Sequence, residues 1–292
     1  YDLDNAESTT LTGQSLIKFT KKMGNYFYNR ELGDDKDYCI YTDTDSVFYS
    51  ALPLVQNRHP NADVKDDKFM TEQILDIAGE VQDYINKSYN YFSSKFLNIQ
   101  GDHRFEIKQE MIAKAAFWVT KKRYGQWIIN DGGLEVEKLD VKGLDIVRSS
   151  FPPAFRDFMT KVLKAILAKV PKEKIDEFIL KFKKNLQNEE LDKIALPTGV
   201  KSIKKYTKKQ KNSGFGGKSI FTEMEKGAPV HTKASVIYND LLKHFKATNH
   251  EPITNGNKVR WVYLKENPLK IDGIAYKGYD DPKQIIDFIN QY

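Results

Sequence analysis

Apolar residues recur along this chain at two periods, and the changes between them mark out the elements. Over residues 5–30, Leu11, Leu16, Ile17, Phe19, Met23 and Phe27 fall near helical spacing, with Asp4 or Asn5 placed to cap the first turn. Over residues 68–97 the same period gives a long amphipathic helix, whose stripe of Ile74, Ile77, Val81 and Ile85 belongs in a core. Between these helices, the apolar runs 38–41 and 47–49 flank a short polar tip, as two strands joined by a tight turn would. Residues 57–67, polar and carrying Pro60, read as a connector. The next stretch predicts strands over 105–112, 116–120, 124–129 and 134–139, the last two joined by a hairpin turn at Asn130-Asp131-Gly132-Gly133. Ser149, Ser150 and the pair Pro152-Pro153 then open a helix reaching to about residue 169, because proline is favoured in a first turn. A lysine-rich helix over 171–187, a helix over 232–246, strands over 259–264 and 273–276 and a last helix over 282–289 complete the pattern. No internal repeat is visible.

Composition narrows the class without choosing a function. A chain of 292 residues can bury a substantial core as one large or two small domains. The change of pattern at the prolines predicts a boundary that leaves residues 1–148 and 149–292 as the two. A charged fraction of 29% and a net charge of +6 suit a soluble protein with an anionic partner, since neutralising phosphates releases counterions. The single cysteine, Cys39, rules out an internal disulfide framework and fits a reducing compartment; inside an apolar strand it reads as a core residue. No apolar run is long enough to span a bilayer, and the acidic opening Tyr1-Asp2-Leu3-Asp4 is unlike a signal peptide. The expected location is the cytoplasm, that of a host if the source is viral, with no membrane partner. The lack of an initiator methionine suggests a processed product, a split gene product or an excised fragment.

The candidate chemistry lies at the polar tip. Asp43 and Asp45 are one residue apart, and positions i and i+2 of an extended chain share a face, so the two carboxylates can converge on one point. Two close anions raise each other's pKa unless a cation lies between them, and Mg2+ fits, taking oxygen ligands and completing its shell with water and phosphates. An Asx-type turn, in which the aspartates cap backbone amides, accounts for the same residues. Thr44 and Ser46 are placed to shape the turn by hydrogen bonding to backbone. A second cluster, Lys121, Lys122 and Arg123, follows an apolar strand. Such cations reach phosphate oxygens and position a nucleic-acid strand without reading its sequence, or else form an ordinary solvated turn. Residues 193–222 contain no acid, carry Lys201, Lys204, Lys205, Lys208, Lys209, Lys211 and Lys218, and include Gly214-Phe215-Gly216-Gly217. That loop can lie against phosphates through lysines and backbone amides, or stand free in solvent.

Three segments, in order, resemble motifs of the family B DNA polymerases. Tyr41-Thr42-Asp43-Thr44-Asp45-Ser46 resembles the family's Tyr-x-Asp-Thr-Asp-Ser signature, and Lys121-Lys122-Arg123-Tyr124 its Lys-Lys-Arg-Tyr motif. Gly143-Leu144-Asp145-Ile146-Val147-Arg148 is similar to its palm-to-thumb junction, and Thr9-Thr10-Leu11-Thr12-Gly13-Gln14 to the helix that follows the fingers. The resemblance spans nearly the whole chain and is closest to polymerases of tailed bacteriophages. Beyond about Pro171 it thins to patches such as Gly227-Ala228-Pro229-Val230-His231 and Gly256-Asn257-Lys258-Val259-Arg260. It implies an α+β fold: an antiparallel palm sheet with packed helices over residues 1–148, then a mainly helical thumb over 149–292.

The resemblance also implies roles. Asp45 is the expected direct ligand of two Mg2+ ions, and Asp43 an auxiliary ligand or an electrostatic support. Glu110 is a candidate third acid, or a plain surface residue. Lys121, Lys122 and Arg123 would hold the primer terminus, with Tyr124 packing on its sugar or base. Arg148, Ser149 and His231 are further candidate phosphate or sugar contacts, and Lys204, Lys205, Lys208 and Lys209 candidates for a thumb grip on the duplex. The implied substrates are primer-template DNA and a deoxynucleoside triphosphate.

Several parts of the family have no counterpart in this sequence: the other metal-binding aspartate segment (motif A), the nucleotide-binding lysine of the fingers, and the exonuclease. The expectation is a polymerase portion that is inactive alone and is completed by an upstream polypeptide supplying them. A sliding clamp is a further candidate partner, although the tail that phage members use for it does not follow Tyr292. Two other classes stay open. One is a noncatalytic duplex-binding subunit or degenerate polymerase remnant; the other is a metal-dependent nuclease on the same hairpin, which would need acids beyond Glu110.

Overall fold

The first helix starts earlier than its apolar spacing predicts, because Asp2 rather than Asp4 or Asn5 caps it. The Asp2 carboxylate accepts from the backbone N–H groups of Asp4 and Asn5, and helix α1 runs over Leu3–Leu32. The computed structural model describes residues 2–208 and 220–292, so Lys209, Lys211, Lys218 and the glycine-rich run 214–217 lie outside the described residues. The chain divides into two compact units, Tyr1–Gly143 and Leu144–Tyr292.

In the first unit α1 is followed by a hairpin of β1 (Cys39–Asp43) and β2 (Ser46–Tyr49), then by α2 (Leu52–Arg58) and α3 (Asp67–Phe96). The long helices α1 and α3 pack face to face around Phe27, Tyr28, Ile77, Ile85 and Tyr89, as the apolar stripe of α3 requires. Helix α2 has only seven residues, too few to show a period. It forms because Leu54 and Val55 are fully buried in that core and Arg58 forks to Glu31 on α1 and Glu80 on α3.

A three-stranded antiparallel sheet completes the unit in the order β3 (Met111–Thr120), β4 (Arg123–Asp131), β5 (Leu134–Lys142). The strand expected from residue 105 begins only at Met111. The residues before it run without a partner strand and lie along α3. The Asn86 side chain accepts the Ile107 N–H at 2.8 Å and donates to its carbonyl at 3.0 Å, and Gln82 accepts the Gln109 N–H at 2.8 Å. Side-chain amides thus stand in for a neighbouring strand. The alternating pattern survives because Phe105 and Ile107 still face the core.

The second unit opens with a 3-10 turn, Asp145–Val147, and then α4 (Pro153–Leu167) and α5 (Lys172–Asn185). These two helices meet through Phe155, Phe158 and Phe182, the last two stacked with centroids 3.9 Å apart. There follow α6 (Leu191–Ile194), β6 (Leu196–Gly199), α7 (Ile203–Tyr206), α8 (Val230–His244), β7 (Lys258–Tyr263), β8 (Gly273–Tyr276) and α9 (Lys283–Gln291). Strands β6, β7 and β8 form an antiparallel sheet in that order. Its core joins Ile274 to Tyr238 and Leu241 of α8 and Ile285 of α9. Strand β6 falls in the stretch read as a basic loop. It is an edge strand containing Pro197, which a central strand would not tolerate. The fold class is α+β, as the sequence predicts. Among the described residues no helix is long and apolar enough to cross a membrane.

Candidate functional site

Strands β1 and β2 pair so that Asp43 lies opposite Ser46, which leaves Thr44 and Asp45 as a two-residue loop with Thr44 at φ +50°. Asp45 follows this left-handed residue, so the turn and not strand alternation sets its position relative to Asp43. The two carboxylates have different surroundings. Asp43, with a side chain 24% exposed, accepts from the Tyr41 hydroxyl at 3.3 Å and from the Thr44 hydroxyl at 3.2 Å. The Lys122 ammonium lies 3.5 Å from the same carboxylate. Asp45 is exposed, and among the described residues its carboxylate has no hydrogen bond or ion pair. Ser46 shapes the turn by donating to the Asp43 carbonyl at 3.1 Å, whereas the Thr44 hydroxyl goes to the carboxylate instead of the backbone.

The hairpin is mounted on α1. The Tyr49 hydroxyl donates to the Lys21 carbonyl at 2.8 Å and lies directly over Gly24, where a Cβ would fall on it. Tyr28 stacks against both Tyr38 and Tyr49, with centroids 5.2 and 5.4 Å apart. Below the strands, the Asp37 carboxylate accepts from Lys21 and Asn25, and Asn25 in turn accepts the Tyr38 N–H. Hydrogen bonds from Lys21 and Asn25 hold the Asp37 carboxyl below the usual carboxylate range. Cys39, expected in the core, is half-buried and outside the core cluster of this unit, and burial pushes its thiol up.

On its other side the hairpin meets the three-stranded sheet through aromatic rings. Tyr41 lies 4.8 Å from Trp118 and 5.6 Å from Tyr124, and Phe48 lies 5.2 Å from Trp118. This contact brings the acidic tip to the turn between β3 and β4. Thr120 pairs with Arg123, so Lys121 and Lys122 form the loop, with Lys122 at φ +61°. The Lys122 N–H donates to the Tyr41 hydroxyl at 2.9 Å. Gly143, at φ +64°, sits against the Lys122 carbonyl where a side chain would not fit. Lys121 and Arg123 are exposed and, among the described residues, have no acidic partner. Tyr124 is 8% exposed, its ring packed among Trp118, Tyr41 and Phe48. In this position it braces the turn through Trp118 and Tyr41.

The other candidates are more scattered. Glu110 precedes β3 at the end remote from the Lys121–Lys122 loop, and its carbonyl accepts the Gly132 N–H at 2.7 Å. Ten strand residues, at about 3.3 Å each, separate the two ends by roughly 30 Å. The structure therefore does not bring Glu110 to the acid pair, and no group of three His, Cys, Asp or Glu side chains is assembled among the described residues. In the second unit Arg148 is paired with Asp145 at 2.9 Å and Lys208 with Glu223 at 3.0 Å. Ser149, Lys204 and Lys205 are exposed, and His231 is half-buried in the first turn of α8. Sequence reasoning missed Tyr41 and Trp118 as organising residues. Tyr41 lies within the signature itself, but nothing local shows that its partner is a loop some eighty residues away.

An acidic hairpin tip fixed beside a cationic turn is an arrangement suited to holding a metal ion next to phosphate. A family model of DNA polymerase family B matches residues 1–286, and the chain belongs to that family. Among its relatives, the DNA-directed DNA polymerase of Enterobacteria phage T4 is 25% identical over 309 residues, covering 98% of this chain and 31% of that protein. A DNA polymerase of Thermococcus kodakarensis is 26% identical over 167 residues, 57% of this chain and 8% of that protein. The chain thus spans about a third of the length of the phage relative.

Proposed function

We propose that this chain is the carboxy-terminal palm and thumb portion of a DNA-directed DNA polymerase, with palm over residues 1–148 and thumb over 149–292. The observation that carries the reading is the uncommitted Asp45 carboxylate on a tip whose other acid, Asp43, lies against the Lys121–Arg123 turn. The donor set fits Mg2+ as part of a shell: two carboxylates, hard oxygen donors, with further ligands to come from water, substrate phosphates and the upstream motif A segment. A bound Mg2+ would lower the pKa of the primer 3′-hydroxyl and neutralise charge on the triphosphate.

The protein groups divide the remaining work. Asp45 offers a free carboxylate, and Asp43 is the auxiliary one, held close to Lys122 until an ion takes it. Lys121 and Arg123 reach the phosphates of the primer terminus, Arg123 with two parallel bonds. Tyr124, Trp118 and Gly143 keep that turn in place. In the thumb, Lys204 and Lys205 are available for the duplex, while Arg148 and Lys208 must exchange an acidic partner for a phosphate. The phage relative is about three times as long as this chain, which supports an upstream part, joined or separate, that supplies motif A, fingers and exonuclease. Combined with that part, the chain extends a primed template in the presence of Mg2+ and a deoxynucleoside triphosphate; alone it does not. Asp45→Ala abolishes extension while assembly persists, and extension retained by this variant would overturn the assignment.

A further inference from the structure

Of the three cations on the β3–β4 turn, one is already neutralised. Lys121 and Arg123 face solvent, but the Lys122 ammonium lies 3.5 Å from Asp43. The two residues are joined a second time through Tyr41, whose hydroxyl accepts the Lys122 N–H and donates to the Asp43 carboxylate. The loop backbone has little room to move, since Lys122 is left-handed and its carbonyl abuts Gly143. Only the lysine side chain, 64% exposed, is free to choose between Asp43 and another anion.

We propose that Asp43 restrains Lys122, and that a divalent cation taking this carboxylate releases the lysine to DNA phosphates, so that metal and primer bind cooperatively. This rests on the polymerase reading above and adds a coupling between its two halves. The physical reason is competition for one carboxylate. A doubly charged ion in direct contact displaces a solvated ammonium at 3.5 Å, and the freed ammonium gains phosphate contact. By linkage, whatever Mg2+ does for primer affinity, primer does equally for Mg2+ affinity. The pair is exposed, so its restraint is modest, about 1.5- to 5-fold in an equilibrium constant.

The test is a double-mutant cycle on binding of a fluorescent primed duplex to the chain, first without divalent metal. Asp43→Asn is expected to tighten binding by about 1.5- to 5-fold more than Asp45→Asn, which removes the same charge one loop position away. The gain should vanish in a Lys122→Ala background, and millimolar Mg2+ should close the gap between wild type and Asp43→Asn. As a check that leaves the hairpin untouched, Lys122→Met without metal should cost less affinity than Lys121→Met. Equal effects of the two asparagine variants, a gain that persists without Lys122, or a larger loss for Lys122→Met would each overturn the restraint. A gap unaffected by Mg2+ would overturn the coupling to metal. Failure of the wild-type chain to bind primed duplex in a salt-dependent way would overturn the polymerase reading itself, an outcome distinct from the others.

Discussion

Replacing Gly24 by alanine should destabilise the first unit, against the usual sign of that substitution. Inside a helix, alanine ordinarily gains about 0.5–1 kcal/mol over glycine because it restricts the unfolded chain. Here the added methyl falls on the hydroxyl and ring of Tyr49, which holds the acidic hairpin against α1. Moving that ring forfeits its bond to the Lys21 carbonyl, about 0.5–1.5 kcal/mol, and its stack on Tyr28, a similar amount. Crowding the junction adds about 1–3 kcal/mol. Against the gain in propensity, a net loss of about 1–5 kcal/mol remains. Urea unfolding followed by tyrosine near-ultraviolet circular dichroism would measure it. In a Tyr49→Ala background the obstacle is gone, and Gly24→Ala should become stabilising. A single variant as stable as wild type, or an undiminished loss without Tyr49, would refute the reasoning.

The segment before β3 offers another test. Asn86→Ala removes both partners of the Ile107 backbone and should cost about 1–3 kcal/mol, with faster hydrogen exchange at Ile107 and unchanged protection in β4; unaltered exchange at Ile107 would mean that apolar contacts alone hold the segment. Asp37 predicts a pH dependence. Its folded pKa is depressed, so its contribution is complete above the ordinary value of about 3.9 and fades as pH falls through the lower folded value. The Cys39 N–H, which donates to Asp37 at 3.1 Å, should therefore exchange faster only in acid below about pH 4, and Asp37→Asn should remove that dependence; acceleration near neutral pH would contradict the assignment. The effect is small, because the carboxylate is largely exposed and solvent-screened.

The sequence alone determined the long helices, the acidic hairpin, the β4–β5 turn and most strands of the second unit. Each announces itself locally: an apolar period reports which face of an element is covered, and a short turn needs only its own residues. What covers that face is a different matter. Residues 105–110, the first part of the strand expected over 105–112, alternate like a strand, yet Asn86 and Gln82 replace the neighbouring strand, because backbone hydrogen-bonding groups require partners without specifying their source. Helix α2 and edge strand β6 were invisible because each is too short to carry a period and is held by residues far along the chain. At the candidate site, the order of residues singled out Asp43, Asp45 and the basic turn, and the structure brings Asp43 and Lys122 together. Only the tertiary structure distinguished the free carboxylate of Asp45 from the engaged one of Asp43, buried Tyr124, and put Glu110 at the far end of its strand. The reason is that availability for chemistry depends on what other side chains have already claimed, and those side chains come from elements that the local pattern cannot see.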